Sequence, residues 1–264
     1  MILINTMYGY QQIGLGTYNL HDELCTEIVK NAINIGYSLI DTAQLYKNHT
    51  FIKDGINLSN KTRDDIFITS KVHNRNIIKK RIPESIDLIK KELETDYIDL
   101  ILLHNPTKNY IEGWQELIRC QNHFNIKYIG TSNFNVSNIE EIEKITGIIP
   151  SLNQIEYNIF NQQNELVNYL NEKNILIQSH TGLTRKTKIY DQQLTNLSTQ
   201  YTISPVFMMH KFILQNNIGI IPKTTNIDHL KENFNILNDP DLNNEIMEEL
   251  KKFDEQFSLF KKYD

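Results

Sequence analysis

Tyr97-Ile98-Asp99-Leu100-Ile101-Leu102-Leu103-His104 is a short aliphatic run that stops on a histidine, and its flanks decide what it is. Amphipathic stretches of helical period lie on either side, Pro83 to Leu93 before it and Ile111 to Phe124 after it. A run of this kind between two helical segments reads as a strand of a parallel sheet, because strands covered by helices on both faces are apolar throughout rather than alternating. The unit recurs along the chain. Strand-like runs fall at Ile13 to Thr17, Ser38 to Asp41, Ile66 to Lys71, Tyr97 to His104, Tyr128 to Ser132, Leu152 to Glu156, Ile175 to Ser179 and Ile218 to Lys223. Further helical stretches are Asp22 to Ile35, Val136 to Ile145 and Glu165 to Asn171, and the helix between the seventh and eighth runs has the faintest pattern.

Eight such units predict an α/β fold, a closed (β/α)8 TIM barrel, with Asn243 to Phe253 as an extra C-terminal helix and residues 1–264 as a single domain. An open doubly wound sheet would carry a Gly-rich phosphate loop after its first strand. Gly14-Leu15-Gly16-Thr17 lacks the third glycine of that fingerprint.

Composition narrows the function classes. The apolar share of 40 % and charged share of 22 % suit a soluble globular chain. A net charge of −5 gives no electrostatic footprint for nucleic acid or an anionic membrane. Lys79-Lys80-Arg81 reads as solvated surface. The two cysteines, Cys25 and Cys120, are far apart and suggest neither a disulfide framework nor a zinc motif. No apolar stretch approaches the roughly 20 residues of a membrane span, and the N-terminal apolar stretch is too short for a signal peptide. A cytoplasmic monomer is expected, with no nucleic-acid or membrane partner. The eight histidines contain no His-x-His or His-x-x-x-His pair, so no metal site is expected.

Barrel enzymes build their sites at the C-terminal ends of the strands, so the residues that end the eight runs are the ones to inspect. The second run ends in Asp41 with Tyr46 in the following loop, the third in Lys71, and the fourth in His104. The fifth ends in Ser132-Asn133, the sixth carries Gln154, the seventh leads to His180, and the eighth ends in Lys223-Thr224-Thr225. Each alone reads as a cap, a solvated strand end or a packing residue. Together, a Tyr, a Lys, an Asp and a His on neighbouring strands suit carbonyl reduction. The alkoxide formed must be protonated, and a phenol with a pKa of about 10 needs help to do so near neutrality. An ammonium about 4 Å away, worth about 4 kcal/mol at an effective dielectric of 20, would bring Tyr46 to about 7. Lys71 stays charged if Asp41 pairs with it, and His104 can orient the carbonyl and stabilise the developing oxyanion.

These residues resemble the aldo-keto reductase superfamily over nearly the whole chain. Asp41-Thr42-Ala43-Gln44-Leu45-Tyr46-Lys47-Asn48 resembles its D-T-A-x-x-Y-x-N segment, Thr69-Ser70-Lys71 its lysine strand, and Asp99 through Pro106 its histidine strand. Gly130-Thr131-Ser132-Asn133-Phe134, Asn153 through Tyr157, and Ile221-Pro222-Lys223-Thr224 through Glu232-Asn233 resemble its cofactor segments. The resemblance implies a barrel that reduces a small-molecule carbonyl with NADPH, forming NADP+, with Tyr46 as acid, Lys71 and Asp41 tuning it, and His104 orienting substrate. It places Gly16, Thr17, Ser132, Asn133, Gln154, His180, Lys223, Thr224, Thr225, His229, Glu232 and Asn233 at the cofactor. Ser132, Asn133 and Gln154 would hold the nicotinamide carboxamide, Lys223 and Thr224 the 2′-phosphate, and Glu232 and Asn233 the adenine. A second reading is a cofactor-binding barrel that serves as a regulatory or interaction module.

The chain departs from the family in several places. His180 stands where many members have an aromatic residue that stacks on nicotinamide. His229 stands where an arginine often meets the phosphate, so NADPH is expected to be preferred over NADH through Lys223, but less strongly than in an arginine-bearing relative. Tyr18 and Asn105 replace bulkier aromatics at the substrate mouth. With short loops after strands four and seven and a brief tail, they predict an open, partly polar pocket for small polar aldehydes, dicarbonyls or sugar-like carbonyls. His49 replaces a common Glu and is expected on a helix surface.

Overall fold

The computed structural model describes residues 10–260. The aliphatic runs form eight parallel strands: β1 (Leu15–Gly16), β2 (Leu39–Asp41), β3 (Phe67–Val72), β4 (Ile98–Leu103), β5 (Ile126–Ser132), β6 (Leu152–Glu156), β7 (Leu176–His180) and β8 (Gly219–Ile220). Each pairs with its neighbour in chain order. The sheet closes on itself through a parallel bridge between Ile13 and Ile220, with Gly14 N donating to Ile220 O (2.9 Å) and Gly16 N to Pro222 O (3.1 Å). The closed (β/α)8 barrel is therefore the observed fold. At the seam a Cβ on Gly16 would meet Ile221 O at 2.4 Å, so backbone crowding accounts for this glycine without reference to any ligand. β8 is shorter than the run in the sequence, because Pro222 has no N–H to continue the ladder.

Eleven helices surround the sheet among the described residues: α1 (Asp22–Ile35), α2 (His49–Asn57), α3 (Asn74–Ile78), α4 (Ile82–Leu93), α5 (Tyr110–His123), α6 (Val136–Thr146), α7 (Asn164–Glu172), α8 (Gln192–Tyr201), α9 (Pro205–Gln215), α10 (Ile227–Asn235) and α11 (Asn244–Lys251). The faint pattern between β7 and β8 resolves into two helices. In α9 an unbroken stretch from Met208 to Leu214 is buried, including His210 and Lys211, so no amphipathic period survives in the sequence. Lys79, Lys80 and Arg81 are exposed, and both cysteines are buried in α1 and α5. No helix among the described residues is long and apolar enough to cross a membrane.

The period of two along each strand sorts the barrel interior into levels. Leu39, Phe67, Leu100, Leu102, Leu152 and Leu176 pack with Tyr10 and Tyr128 in an apolar floor. Two or four residues further along the same faces stand Asp41, Lys71, His104, Ser132, Gln154, Gln178 and His180. The alternate residues, such as Ile40, Ile68, Ile101, Ile129, Ile155 and Ile177, face the helices and form the outer core.

Candidate active site

Asp41 ends β2 and Lys71 lies near the end of β3, which bring their side chains into a buried pair: Lys71 Nζ donates to Asp41 Oδ1 at 2.6 Å and to Thr42 O at 3.0 Å. Gln154 Nε2 donates to Asp41 Oδ2 (2.7 Å) and to Gln178 Oε1 (2.5 Å), so both carboxylate oxygens are satisfied. Lys71 is held above its ordinary pKa: burial works against its charge, but Asp41 and then Tyr46 outweigh it. Burial is the largest influence on Asp41 as well, raising its pKa against the pull of Lys71 and Gln154.

Tyr46 sits on a single 3-10 turn, Gln44–Tyr46, with the Lys71 ammonium 5.4 Å from its ring centre. The turn is fastened on both sides. Gln44 Oε1 accepts from His73 N (3.2 Å) and Asn76 Nδ2 (2.8 Å), while buried Asn48 accepts from Thr42 Oγ1 (2.7 Å) and donates to Thr17 O and Leu20 O. The phenol departs from the expectation of a value near 7. Its pKa lies above the ordinary one because burial exceeds the lowering exerted by Lys71. It therefore stays protonated across neutral pH, and the ammonium's part is to stabilise the phenolate once the proton has left.

His104 follows β4 directly and meets the Tyr46 ring at 6.2 Å between centres. Burial first, then Lys71, His180 and His73, hold its imidazole down at about 3, so it is neutral and keeps one N–H to donate. Tyr18 stands edge-on to Tyr46, 5.2 Å between ring centres.

Beside the tetrad, Ser132, Asn133, His180 and Asn105 come together. Asn133 follows β5 in a left-handed conformation (φ 63°) that turns its amide inward. Its Nδ2 donates to Asn105 Oδ1 (2.9 Å), Ser132 Oγ (3.1 Å) and His104 O (3.3 Å). His180 Nε2 lies 2.7 Å from Asn133 Oδ1. Gln154 joins this group through its register pairing with Ser132. Thr17 is buried, its hydroxyl donating to Asp41 O at 2.9 Å, so it serves the β1–β2 junction.

The remaining predicted residues form a separate group on the segment after β8. Lys223, Thr225, His229 and Glu232 are exposed and Thr224 and Asn233 half-buried. Asn226 caps α10 there, with Oδ1 accepting from Asp228 N (2.7 Å) and His229 N (3.4 Å). Lys223 forms no ion pair among the described residues, and its ammonium with the neighbouring Thr224 hydroxyl are donors that fit a phosphate, although Asn226 already takes the first N–H groups of α10.

Two expectations need correction. His49 is not a surface residue: it is 1 % exposed at the start of α2, with Nδ1 2.9 Å from Glu92 Oε2 and Nε2 2.9 Å from Ser70 Oγ. Ser70 precedes Lys71 and points out of the barrel, so this triad-like line is sealed from substrate and ties α2 to β3 and α4. The tail also reaches further than its length suggests. Ser258 and Leu259 N are anchored on Glu156 (2.6 and 3.1 Å), which sets Phe260 edge-on to His180 at 5.3 Å. Arg185, on the loop after β7, lies over the rings of both Tyr18 (5.3 Å) and Phe260 (4.7 Å). The wall is thus more aromatic than expected. Arg185 and Phe260 carried no sequence signal, being brought in by a loop and a tail rather than by strand ends, whereas Thr42 and Asn48 lay within the Asp41 to Asn48 motif itself.

A barrel whose mouth joins a buried Lys–Asp pair, a phenol and a neutral imidazole is a carbonyl-directed oxidoreductase by class. The aldo/keto reductase family model matches residues 7–255, and the chain belongs to that family. It is similar to methylglyoxal reductase DkgA of Escherichia coli (31 % identical over 230 residues, 85 % of this chain and 83 % of that protein). Glyoxal reductase of Bacillus subtilis is 32 % identical over 239 residues, 90 % of this chain and 86 % of that one. Among solved structures, the aldo-keto reductase MGS-M4 from a Medee basin deep-sea metagenome superposes with a TM-score of 0.92 at 26 % identity, covering 100 % of this chain and 98 % of that one.

Proposed function

We propose that this chain reduces small 2-oxoaldehydes and related polar aldehydes to alcohols with NADPH, with Tyr46 as the proton donor. The observation that carries the reading is the Lys71–Asp41 pair, fully buried next to the Tyr46 phenol and the neutral His104. NADPH supplies the reducing equivalent when bound. The chain's own part is to hold the carbonyl oxygen between the His104 N–H and the Tyr46 hydroxyl, and to pass the Tyr46 proton to the developing alkoxide. Lys71 stabilises the phenolate left behind. Ser132, Asn133 and Gln154 fit a carboxamide: Gln154 spends both its N–H groups on Asp41 and Gln178, and its Oε1 is left to accept. Lys223 and Thr224, next to the α10 N-terminus, fit the 2′-phosphate. With His229 in place of an arginine, preference for NADPH over NADH rests on Lys223.

The glyoxal and methylglyoxal reductases among the relatives support this substrate class, as do Asn105 and the hydrogen-bonded amides around it. The test is loss of reduced nicotinamide absorbance with glyoxal, methylglyoxal and larger apolar ketones, in wild type and Tyr46→Phe. Equal rates in the two proteins refute the proton donor, and a preference for large apolar ketones refutes the substrate class. Equal dissociation constants for NADPH and NADH would show that Lys223 contributes nothing.

A further inference from the structure

His180 is the residue whose surroundings differ most from the stacking role its position implies. Both ring nitrogens are engaged, Nε2 with Asn133 Oδ1 at 2.7 Å and Nδ1 with Thr181 Oγ1 at 3.0 Å. From Asn133 the bonds continue: its Nδ2 donates to Asn105 Oδ1 (2.9 Å), and Asn105 Nδ2 donates to Asn74 Oδ1 (3.0 Å). One polar line therefore runs across the mouth from β7 through the ends of β5 and β4 to α3.

The direction of this line is fixed. Taken alone, three amides and an imidazole bond equally well when all are reversed together. Asn133 Nδ2, however, also faces His104 O at 3.3 Å, and a backbone carbonyl only accepts. The Asn133 NH2 must point towards β4, its oxygen must point towards His180, and His180 must carry its proton on Nε2. Thr181 then donates to Nδ1. The two departures His180 and Asn105 belong to this one arrangement, on opposite sides of the same asparagine.

We propose that His180 is a positioning residue that locks the Asn133 amide in one orientation, rather than a platform for stacking. A phenyl ring in its place would leave Asn133 Oδ1 without its donor, and the amide would be held only from its Nδ2 side, by His104 O, Asn105 and Ser132. The proposal rests on the reading that Asn133 meets the nicotinamide carboxamide only for its effect on binding. The lock itself exists in the protein alone.

Two measurements test it. The first is a double-mutant cycle on NADP+ binding, followed by protein fluorescence. His180→Phe is expected to raise Kd about three- to tenfold, the loss of one neutral hydrogen bond, and to change it less than twofold when Asn133 is already alanine. The same rise in both backgrounds, or tighter binding by the phenyl variant, overturns the proposal in favour of stacking. The second is the side-chain amide NMR signal of Asn133 in protein free of cofactor. Rotation about the amide C–N bond is slow, so the two protons are resolved in every variant, and the readout is their chemical shifts and their exchange with solvent. Wild type is expected to show protected protons shifted from free-amide values, His180→Phe to move them towards those values and speed their exchange, and His180→Gln, which keeps a donor, to restore them. Unchanged signals in His180→Phe overturn the lock. A wild type that binds no NADP+ defeats the cofactor reading, and the amide signal still decides the lock.

Discussion

The two ends of the barrel interior are built on the same strands yet are chemically opposite. Along β3 the inward face runs Phe67, Thr69, Lys71, and along β4 it runs Leu100, Leu102, His104. At the floor apolar side chains meet apolar side chains, and the energy is in packing. At the mouth most polar groups are buried against partners, Gln178 Nε2 being an exception, and the energy is in keeping charges and amides satisfied. A few residues of strand thus separate a region that serves stability from one that serves chemistry, and substitutions should tell the two apart.

Tyr46→Phe carries the largest expected effect. It removes the proton donor while keeping the ring against Tyr18 and His104, so kcat should fall about a hundred- to ten-thousandfold with the melting temperature nearly unchanged. A variant that unfolds would erase the distinction between the ends. Lys71→Met should abolish turnover and also destabilise by about 3–5 kcal/mol, because it strands Asp41 as a buried, unpaired carboxylate. Chemical denaturation checks this, and a further Asp41→Asn change should recover part of the lost stability. At the floor, Leu100→Ala should cost about 2–5 kcal/mol through the cavity it opens, with kcat per folded molecule preserved.

For turnover, the smallest effects are in pH. His104 and His180 are held at about 3 and His210 at about 4, all below the ordinary value of about 6.5. Between those limits the unfolded chain binds more protons than the folded one. Stability is therefore fully present above about pH 6.5 and is lost as pH falls towards 4. Thermal melts across that range should show the decline, and His210→Leu should flatten it without moving kcat. The kcat of the wild type should show no histidine step near pH 6.5. A step there would mean that His104 is charged in the working enzyme.

Most of the fold was legible in sequence because strand burial is written in short aliphatic runs: all eight strands lie where those runs predict. What was illegible has physical causes. α9 is buried over most of its length and so shows no period, and β8 is cut short by Pro222. At the site, the tetrad was legible because barrel chemistry collects at strand ends. His49 was misplaced because its partners, Glu92 and Ser70, are 43 and 21 residues away in sequence, and a half-polar helix start gives no hint of them. Arg185 and Phe260 depend on the course of a loop and a tail. The pKa of Tyr46 was misjudged because pair distance was weighed without burial.

The anchoring of Ser258 and Leu259 on Glu156 has a practical side. It holds Phe260 beside the entrance to the active site, while Tyr10 at the opposite end of the barrel lies against the floor. A substitution at Ser258 or Phe260 is therefore felt at the entrance and not at the barrel floor.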